Sequence, residues 1–262
     1  MIDHDQLVAG LGALGVAAGA VLMVHSSLSA FGPVVGGADT VVRALHSAVG
    51  PAGTVVVPTY TGQVTEPCPG ADPFDPEATE ARAAVPLFHD ATPTTIGAVP
   101  TALLARPDRL RSPHPQASVA AIGAQASQIT GSQPLGYALG ADSPFSAMYR
   151  LQARILLLGV GHNRNSFLHH AESLLDQHRK KLRRFPYLVE QQRVWVEVPD
   201  VGDDNDTYFP RVGDDFAATS GIRQSTIGPG ALPADGQRRV HRLRPAAASQ
   251  TAAERRPLVL RE

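Results

Sequence analysis

The sequence predicts an α/β fold, a single domain with a mostly parallel central sheet flanked by helices. Three observations carry this prediction. Ala20 to Val24 (AVLMV) and Thr54 to Tyr60 (TVVVPTY) are short continuous apolar runs, the pattern of strands buried on both faces. Between them lie a polar loop and a helical stretch, so the segment reads as a βαβ unit. Arg154 to Gly161 (RILLLGVG) repeats the strand pattern, and a chain of 262 residues with 43% hydrophobic content can bury a sizeable core.

Taken in order, Asp5 to Leu14 places Leu7, Val8, Leu11 and Leu14 at helical spacing, with Gly15 positioned to end the helix. The strand Ala20 to Val24 runs into His25-Ser26-Ser27-Leu28-Ser29 and the loop FGPVVGG. A helix over Ala38 to Val49 stops at Gly50-Pro51, before the strand Thr54 to Tyr60. Thr61 to Pro86 is rich in Pro, Asp and Glu and reads as a long loop, which in a compact domain implies a function. Ile96 to Ala105 reads as a helix, Ser112 to Gly123 as a turn followed by a strand, and Pro144 to Leu151 as a short helix. After the strand Arg154 to Gly161, Asn163 to Leu175 forms a helix with a polar start, and Arg193 to Val198 alternates as a half-buried strand. Beyond Ser225 neither period persists, and Pro, Ala, Arg and Gln dominate. The domain is therefore expected over residues 1–222, with 223–262 a basic, loosely ordered segment.

Composition excludes several classes. Lys and Arg number 23 against 24 Asp and Glu, but this balance averages two unlike parts: residues 1–222 carry a formal −6 and residues 223–262 a formal +5. An acidic body attracts cationic ligands. With 5% aromatic residues there is little material for base stacking, so no nucleic-acid partner is expected. Cys68 is the single cysteine, which excludes an internal disulfide and suits a cytoplasmic location. The uncharged stretch Val8 to Val24 contains four glycines and is read as part of the fold, so no membrane association is expected.

The strongest chemical signal is LLLGVGHNRNSFLHHAE, Leu156 to Glu172. A buried strand ending in Gly-Val-Gly delivers the chain to the carboxyl edge of a sheet, where open α/β folds bind ligands. His169 and Glu172 share one helix face there. An imidazole beside a carboxylate can act as a general base, or the pair can be an ordinary exposed helix turn. His170 points about 100° away round the helix and is read as packing or surface. The cluster His25-Ser26-Ser27-Leu28-Ser29 with Val35-Gly36-Gly37 can offer hydroxyls and N–H groups to phosphates, or serve as a Ser-rich turn with capping roles. Gly10 to Gly15 matches GxGxxG but lies within a helical pattern, and no GxSxG is present. His162, His169, His170 and His178 lack zinc-ligand spacing, so no metal is expected. Asp72, Asp75, Asp200, Asp203, Asp204 and Asp206 form two acidic stretches that would recognise ammonium groups only if they line the same cleft as His169. The basic run His178 to Arg184 (HRKKLRR) is expected on the outer surface or beside a phosphate.

The blocks LMVHSSLSAFGPVVGG, GPAGTVVVPTYTG, DPFDP, RSPHPQASVAAIG, DSPF and LLLGVGHNRNSFLHHAE, in this order and spacing, resemble the aminoglycoside 3-N-acetyltransferases, the antibiotic N-acetyltransferase family. The resemblance spans roughly residues 5 to 175. It implies the antibiotic N-acetyltransferase-like fold, not the GNAT fold, with acetyl-CoA as donor and the 3-amino group of a deoxystreptamine aminoglycoside as acceptor. On this pattern His169 matches the catalytic histidine and Glu172 its acidic partner. Ser26, Ser27, Ser29, Phe31, Val35, Gly36 and Ser112 match the region that receives the CoA pantetheine and phosphates. Asp72, Asp75, Glu172 and Asp206 are the carboxylates expected near the cationic acceptor. The expected reaction is direct transfer, with Cys68 a bystander. The rival expectations are another amine as acceptor, or a weakened protein that only binds a CoA thioester or the drug. The basic C-terminal segment departs from the patterned strand and amphipathic helix with which family members usually finish.

Overall fold

The structure is a computed structural model. It describes residues 1–72, 75–204 and 206–219, together with short strands at 223–224, 239–241 and 258–259. The elements in chain order are α1 (His4–Ala13), β1 (Val21–Ser26), α2 (Gly37–Val49), β2 (Thr54–Pro58), α3 (Pro76–Ala84), α4 (Ala98–Leu104), β3 (Leu110–Arg111), β4 (Val119–Gly123), α5 (Ala126–Thr130), α6 (Pro144–Arg150), β5 (Arg154–Leu158), α7 (Phe167–Ser173), β6 (Lys180–Val189), β7 (Gln192–Val201), α8 (Phe209–Thr219), β8 (Arg223–Gln224), β9 (Arg239–His241) and β10 (Leu258–Val259). Two 3-10 turns, Leu28–Phe31 and His162–Arg164, follow β1 and β5.

The main sheet has the order β3-β4-β2-β1-β5-β9-β8. Its centre, β2-β1-β5, is parallel, and antiparallel strands extend both edges. The apolar runs are continuous because both faces are covered. Leu22, Val24, Val55, Val57, Leu156 and Leu158 pack with α1, α2 and α4 on one face. Their neighbours Val21, Met23, Val56, Ile155 and Leu157 pack with α5, α6 and Phe167 of α7 on the other. The period of two is thus hidden in the sequence but present in the packing.

Helix ends follow local chemistry. Asp3 and Gln6 form a reciprocal capping box at α1, and the Ser143 hydroxyl accepts from the Phe145 and Ser146 amides at the start of α6, with Pro144 in the first turn. The loop expected over Thr61 to Pro86 contains α3. Asp75 accepts from the Glu77 amide there, and Pro76 presets the first turn, so a local start signal overrides the loop-like composition.

The second correction is β6. Its long antiparallel ladder with β7 runs from Lys180↔Val201 to Val189↔Gln192. The two strands are joined by Glu190 and Gln191, whose φ values are 49° and 64°. A two-residue hairpin loop of this type I′ form needs both residues at positive φ, a position usually given to Asn or Gly. The inward residues of β6 change along the strand from Phe185 to Arg183 and Lys181, so the strand presents no uniform apolar period. Phe185, Val196, Val198 and Val64 form a separate small core beneath the hairpin.

The short strands β9 and β8 extend the main sheet from β5, and β10 pairs with β7. The remainder of the segment 223–262, where loose order was expected, lies outside the described residues. Among the described residues no helix is long and apolar enough to cross a membrane.

Candidate active site

The parallel strands β1 and β5 finish side by side, with His25 opposite Leu157 and Ser26 opposite Leu158. The chain then turns sharply twice. The Ser27 amide donates to the Leu158 carbonyl at 2.9 Å, tying the two strand ends together. Gly159 sits at φ 69°, and a Cβ there would overlap the Ala30 methyl, so this close crossing requires glycine. These turns open a cleft of about 1070 Å³ at the carboxyl edge of the sheet.

One wall of the cleft is neutral. It includes His25, Ser26, Ser27, Ser29, Tyr60, Gly159 and Ser166. Burial, reinforced by the charge on neighbouring His162, lowers the His25 pKa to about 3, so its ring is neutral. The buried His25 Nε2 and Ser26 Oγ have no hydrogen-bond partner, while Ser27 Oγ and Ser29 Oγ are 3.0 Å apart. Burial also raises the Tyr60 hydroxyl to about 12, against a hydrogen bond with Ser166, so it stays protonated.

The facing wall is charged and comes from the β6–β7 hairpin: Lys181, Arg183 and Asp203 line it. Arg183 Nε donates to Asp200, and Lys181 Nζ donates to Asp203. Gln116 fastens this wall to the rest. Its Nε2 donates to the Val64 carbonyl (2.8 Å) and the Arg184 carbonyl (3.0 Å), and its Oε1 accepts from Arg183. His114 holds the loop carrying Gln116: its Nδ1 accepts from the Gln116 and Ala117 amides, and its Nε2 donates to the Leu135 carbonyl. These contacts fix one neutral tautomer, and burial lowers its pKa to about 4.

His169 stands between the walls on α7, with its ring edge-to-face on Phe209 at 4.6 Å. Its Nδ1 is buried, has no hydrogen-bond partner and lies 3.8 Å from Glu172 Oε2. That is ion-pair range rather than a hydrogen bond. Glu172 is instead clasped by Arg179, whose Nε and Nη2 each donate to one carboxylate oxygen at 2.8 Å. Burial pulls the His169 pKa down, and Lys181 pulls the same way; Glu172, Asp200 and Asp203 oppose them without reversing the shift. The lowered pKa favours the neutral ring at neutral pH, the state in which an imidazole can accept a proton. His170, read from the sequence as packing or surface, is buried, and its Nδ1 donates to the Leu139 carbonyl at 2.6 Å.

Of the residues matched to a role by the resemblance, His169, Ser26, Ser27 and Ser29 meet in the cleft, with Glu172 directly behind His169. The other matched residues lie elsewhere. Ser112 is fully buried, its hydroxyl donating to Gln133 Oε1 and accepting from the Val119 amide. Phe31 belongs to the sheet core, Val35 is exposed, and Gly36, at φ 75°, caps α2 where a Cβ would overlap Thr40 Oγ1. Asp72 is exposed, Asp75 caps α3, and Asp206 is exposed at φ 60° before α8. The carboxylate that does line the cleft is Asp203. Asp204 is buried and caps α8 by accepting from the Tyr208 and Phe209 amides. The basic run is divided between locations: Lys181 and Arg183 face the cleft, whereas Leu182 between them is 62% exposed. Alternation along a strand accounts for the split. Among the described residues no cluster of three or more His, Cys, Asp or Glu side chains could hold a metal ion.

The fold has counterparts among solved structures. Aminoglycoside N(3)-acetyltransferase III of Pseudomonas aeruginosa is 33% identical over 238 residues, covering 86% of this chain and 85% of that protein. A structure described as AAC-IIIb binary with CoASH superposes with a TM-score of 0.78 at 29% identity, covering 91% of this chain and 90% of the other. A sisomicin-bound AAC-VIa structure superposes with a TM-score of 0.77 at 28% identity, covering 91% and 92%. The sequence profile of the aminoglycoside 3-N-acetyltransferase family matches residues 23–240, and the chain belongs to that family of acyltransferases.

Proposed function

We propose that the protein transfers the acetyl group of acetyl-CoA to the 3-amino group of an aminoglycoside, directly and in the cytoplasm, with His169 as general base. The observation that carries this reading is a neutral, partly buried imidazole standing between a hydroxyl-lined wall and an ionic wall. The CoASH and sisomicin complexes of the superposable structures support the two ligand classes.

An ammonium group has no lone pair, so the acceptor amine must lose a proton to attack the thioester carbonyl. His169 is suited to take it. With Glu172 beside Nδ1, Nε2 is the nitrogen assigned to proton transfer, and Glu172 stabilises the imidazolium that forms. Arg179 prevents Glu172 from turning into the cleft and competing for the acceptor, which makes Glu172 a positioning residue. The thioester oxygen turns negative as the amine adds, and the unpartnered Ser26 hydroxyl and the Ser27 and Ser29 hydroxyls are donors available to it or to the pantetheine arm. The C–S bond then breaks, and CoA leaves as its thiol by taking up the proton that the adduct's nitrogen gives up, while the first proton passes from His169 to water. No acyl-enzyme is needed, and Cys68 is not among the cleft residues.

The test is release of CoA thiol from acetyl-CoA with a panel of aminoglycosides, sisomicin and gentamicin included. Turnover is expected with at least one of them, and none with any overturns the reading. His169→Ala should lower turnover about 10²- to 10⁴-fold while leaving CoA binding near its original strength. Unimpaired turnover in that variant removes His169 as the base.

A further inference from the structure

The ionic wall contains two carboxylates in different situations. Asp200 is 2% exposed and locked: its Oδ2 accepts from Arg183 Nε and its Oδ1 from the Val201 amide at 2.8 Å. The Asp203 carboxylate is 59% exposed, lines the cleft with His169, and has Lys181 as its one side-chain partner among the described residues. The two cations differ in the same sense. Arg183 is a planar fork shared between Asp200 and Gln116, whereas Lys181 is a point charge on a flexible four-carbon stem.

We propose that Asp203 is the acceptor-ammonium site of the cleft and that Lys181 is its built-in counter-ion, displaced by a substrate ammonium on binding. The inference rests on the acetyl-transfer reading and deepens it by naming the acceptor's recognition group. An ammonium of the substrate presents the same chemistry to Asp203 as the Lys181 head group, so exchange conserves the ion pair. It also returns a desolvated lysine to water: burial lowers the Lys181 pKa, and Arg183 adds to the shift, against the pull of Asp203 and Asp200. Burial disfavours the ionised Asp203, yet Lys181, Arg183 and His169 together hold its carboxyl below the usual range, so the site stays anionic. The groups facing Asp203 are thus Lys181, Arg183 and His169, and only Lys181 is free to swing away without undoing a buried pair. Acceptors carrying at least two amino groups follow from this arrangement: one is held as a cation on Asp203 while another, neutral, reacts beside His169.

The experiment is a double-mutant cycle over Lys181→Gln and Asp203→Asn, read by calorimetric binding of sisomicin and by KM for sisomicin and for acetyl-CoA. Lys181→Gln is expected to tighten sisomicin about two- to fivefold, the range of a partly exposed ion pair. Asp203→Asn should weaken it about tenfold or more, and in that background Lys181→Gln should no longer tighten it. A lysine of purely structural importance would weaken both ligands when replaced, which overturns the proposal. So does a rise in acetyl-CoA KM on Lys181→Gln, which makes Lys181 a phosphate contact, or equal tightening with and without Asp203. If sisomicin binds but is not acetylated, the proposed function fails while the binding cycle still decides this inference. If sisomicin does not bind the unaltered protein, the inference is overturned directly.

Discussion

The two walls of the cleft are made in opposite ways. The β1–β5 wall grows from strands buried on both faces, and His25 and Tyr60 there are kept uncharged by burial beside serine hydroxyls, with Asn163, Arg164 and Asn165 at its rim after β5. The hairpin wall has a core of only a few side chains around Phe185, and it faces the cleft with two cations, Lys181 and Arg183, and one anion, Asp203, with Asp200 buried behind Arg183. A large apolar core can position uncharged groups without help, but charges at the edge of a small core need partners. The difference suits the two reactants of the proposed transfer, a thioester whose oxygen must be stabilised and an amine that arrives as a cation.

The contrast can be broken first at the hairpin. Phe185 is fully buried and edge-on to His114 at 5.4 Å, so Phe185→Ala should cost about 3–5 kcal/mol in denaturant unfolding. A loss below about 1 kcal/mol would show that the hairpin wall does not depend on its small core. The neutral wall is tested at Gly159. Gly159→Ala forces a positive φ on a residue with a Cβ and pushes Ala30 away, with an expected cost of about 1–3 kcal/mol and a raised acetyl-CoA KM. Unchanged stability there would mean that the crossing of the two turns is not tight.

Acid titration separates the walls by a different route. His25 and His114 have folded pKa values of about 3 and about 4, below the unfolded 6.5. Below pH 6.5 the unfolded chain therefore binds protons that the folded chain refuses. Their contribution is complete above pH 6.5 and is lost progressively as pH falls toward 4. Unfolding free energy measured from pH 7 to 4 should decline, and His25→Gln should flatten the decline. The lowered His169 pKa likewise places the acid limb of kcat/KM below pH 6.5. The smallest effect is expected at Ser26. Its hydroxyl has no partner to lose, so Ser26→Ala should stay within about 0.5 kcal/mol in stability while raising the acetyl-CoA KM. A larger loss of stability would reveal a structural role.

Legibility in the sequence divides along the same line as the walls. The parallel centre of the sheet was readable because strands covered on both faces are written as unbroken apolar runs, and the His169–Glu172 pair because a spacing of three on a helix puts two side chains together. The helix α3 had its signal, Asp75 before Pro76, within a composition that argued for a loop. The β6–β7 hairpin had almost none. Its inward face turns from Phe185 to Arg183 and Lys181, and Glu190-Gln191 occupies a turn where Asn-Gly is the usual mark.

The amino-acid sequence by itself determined the α/β class, the turn at Gly159 that ends β5 and the shared helix face of His169 and Glu172, because each depends on neighbours within one element or one βαβ unit. The tertiary structure decided which charges face His169. Asp203, Lys181 and Arg183 reach the cleft because a long hairpin folds back against the sheet, and Arg179 clasps Glu172 seven residues along the chain, after α7 has ended. Charges act through space, and their effect on His169 depends on separations that no local pattern along the chain records.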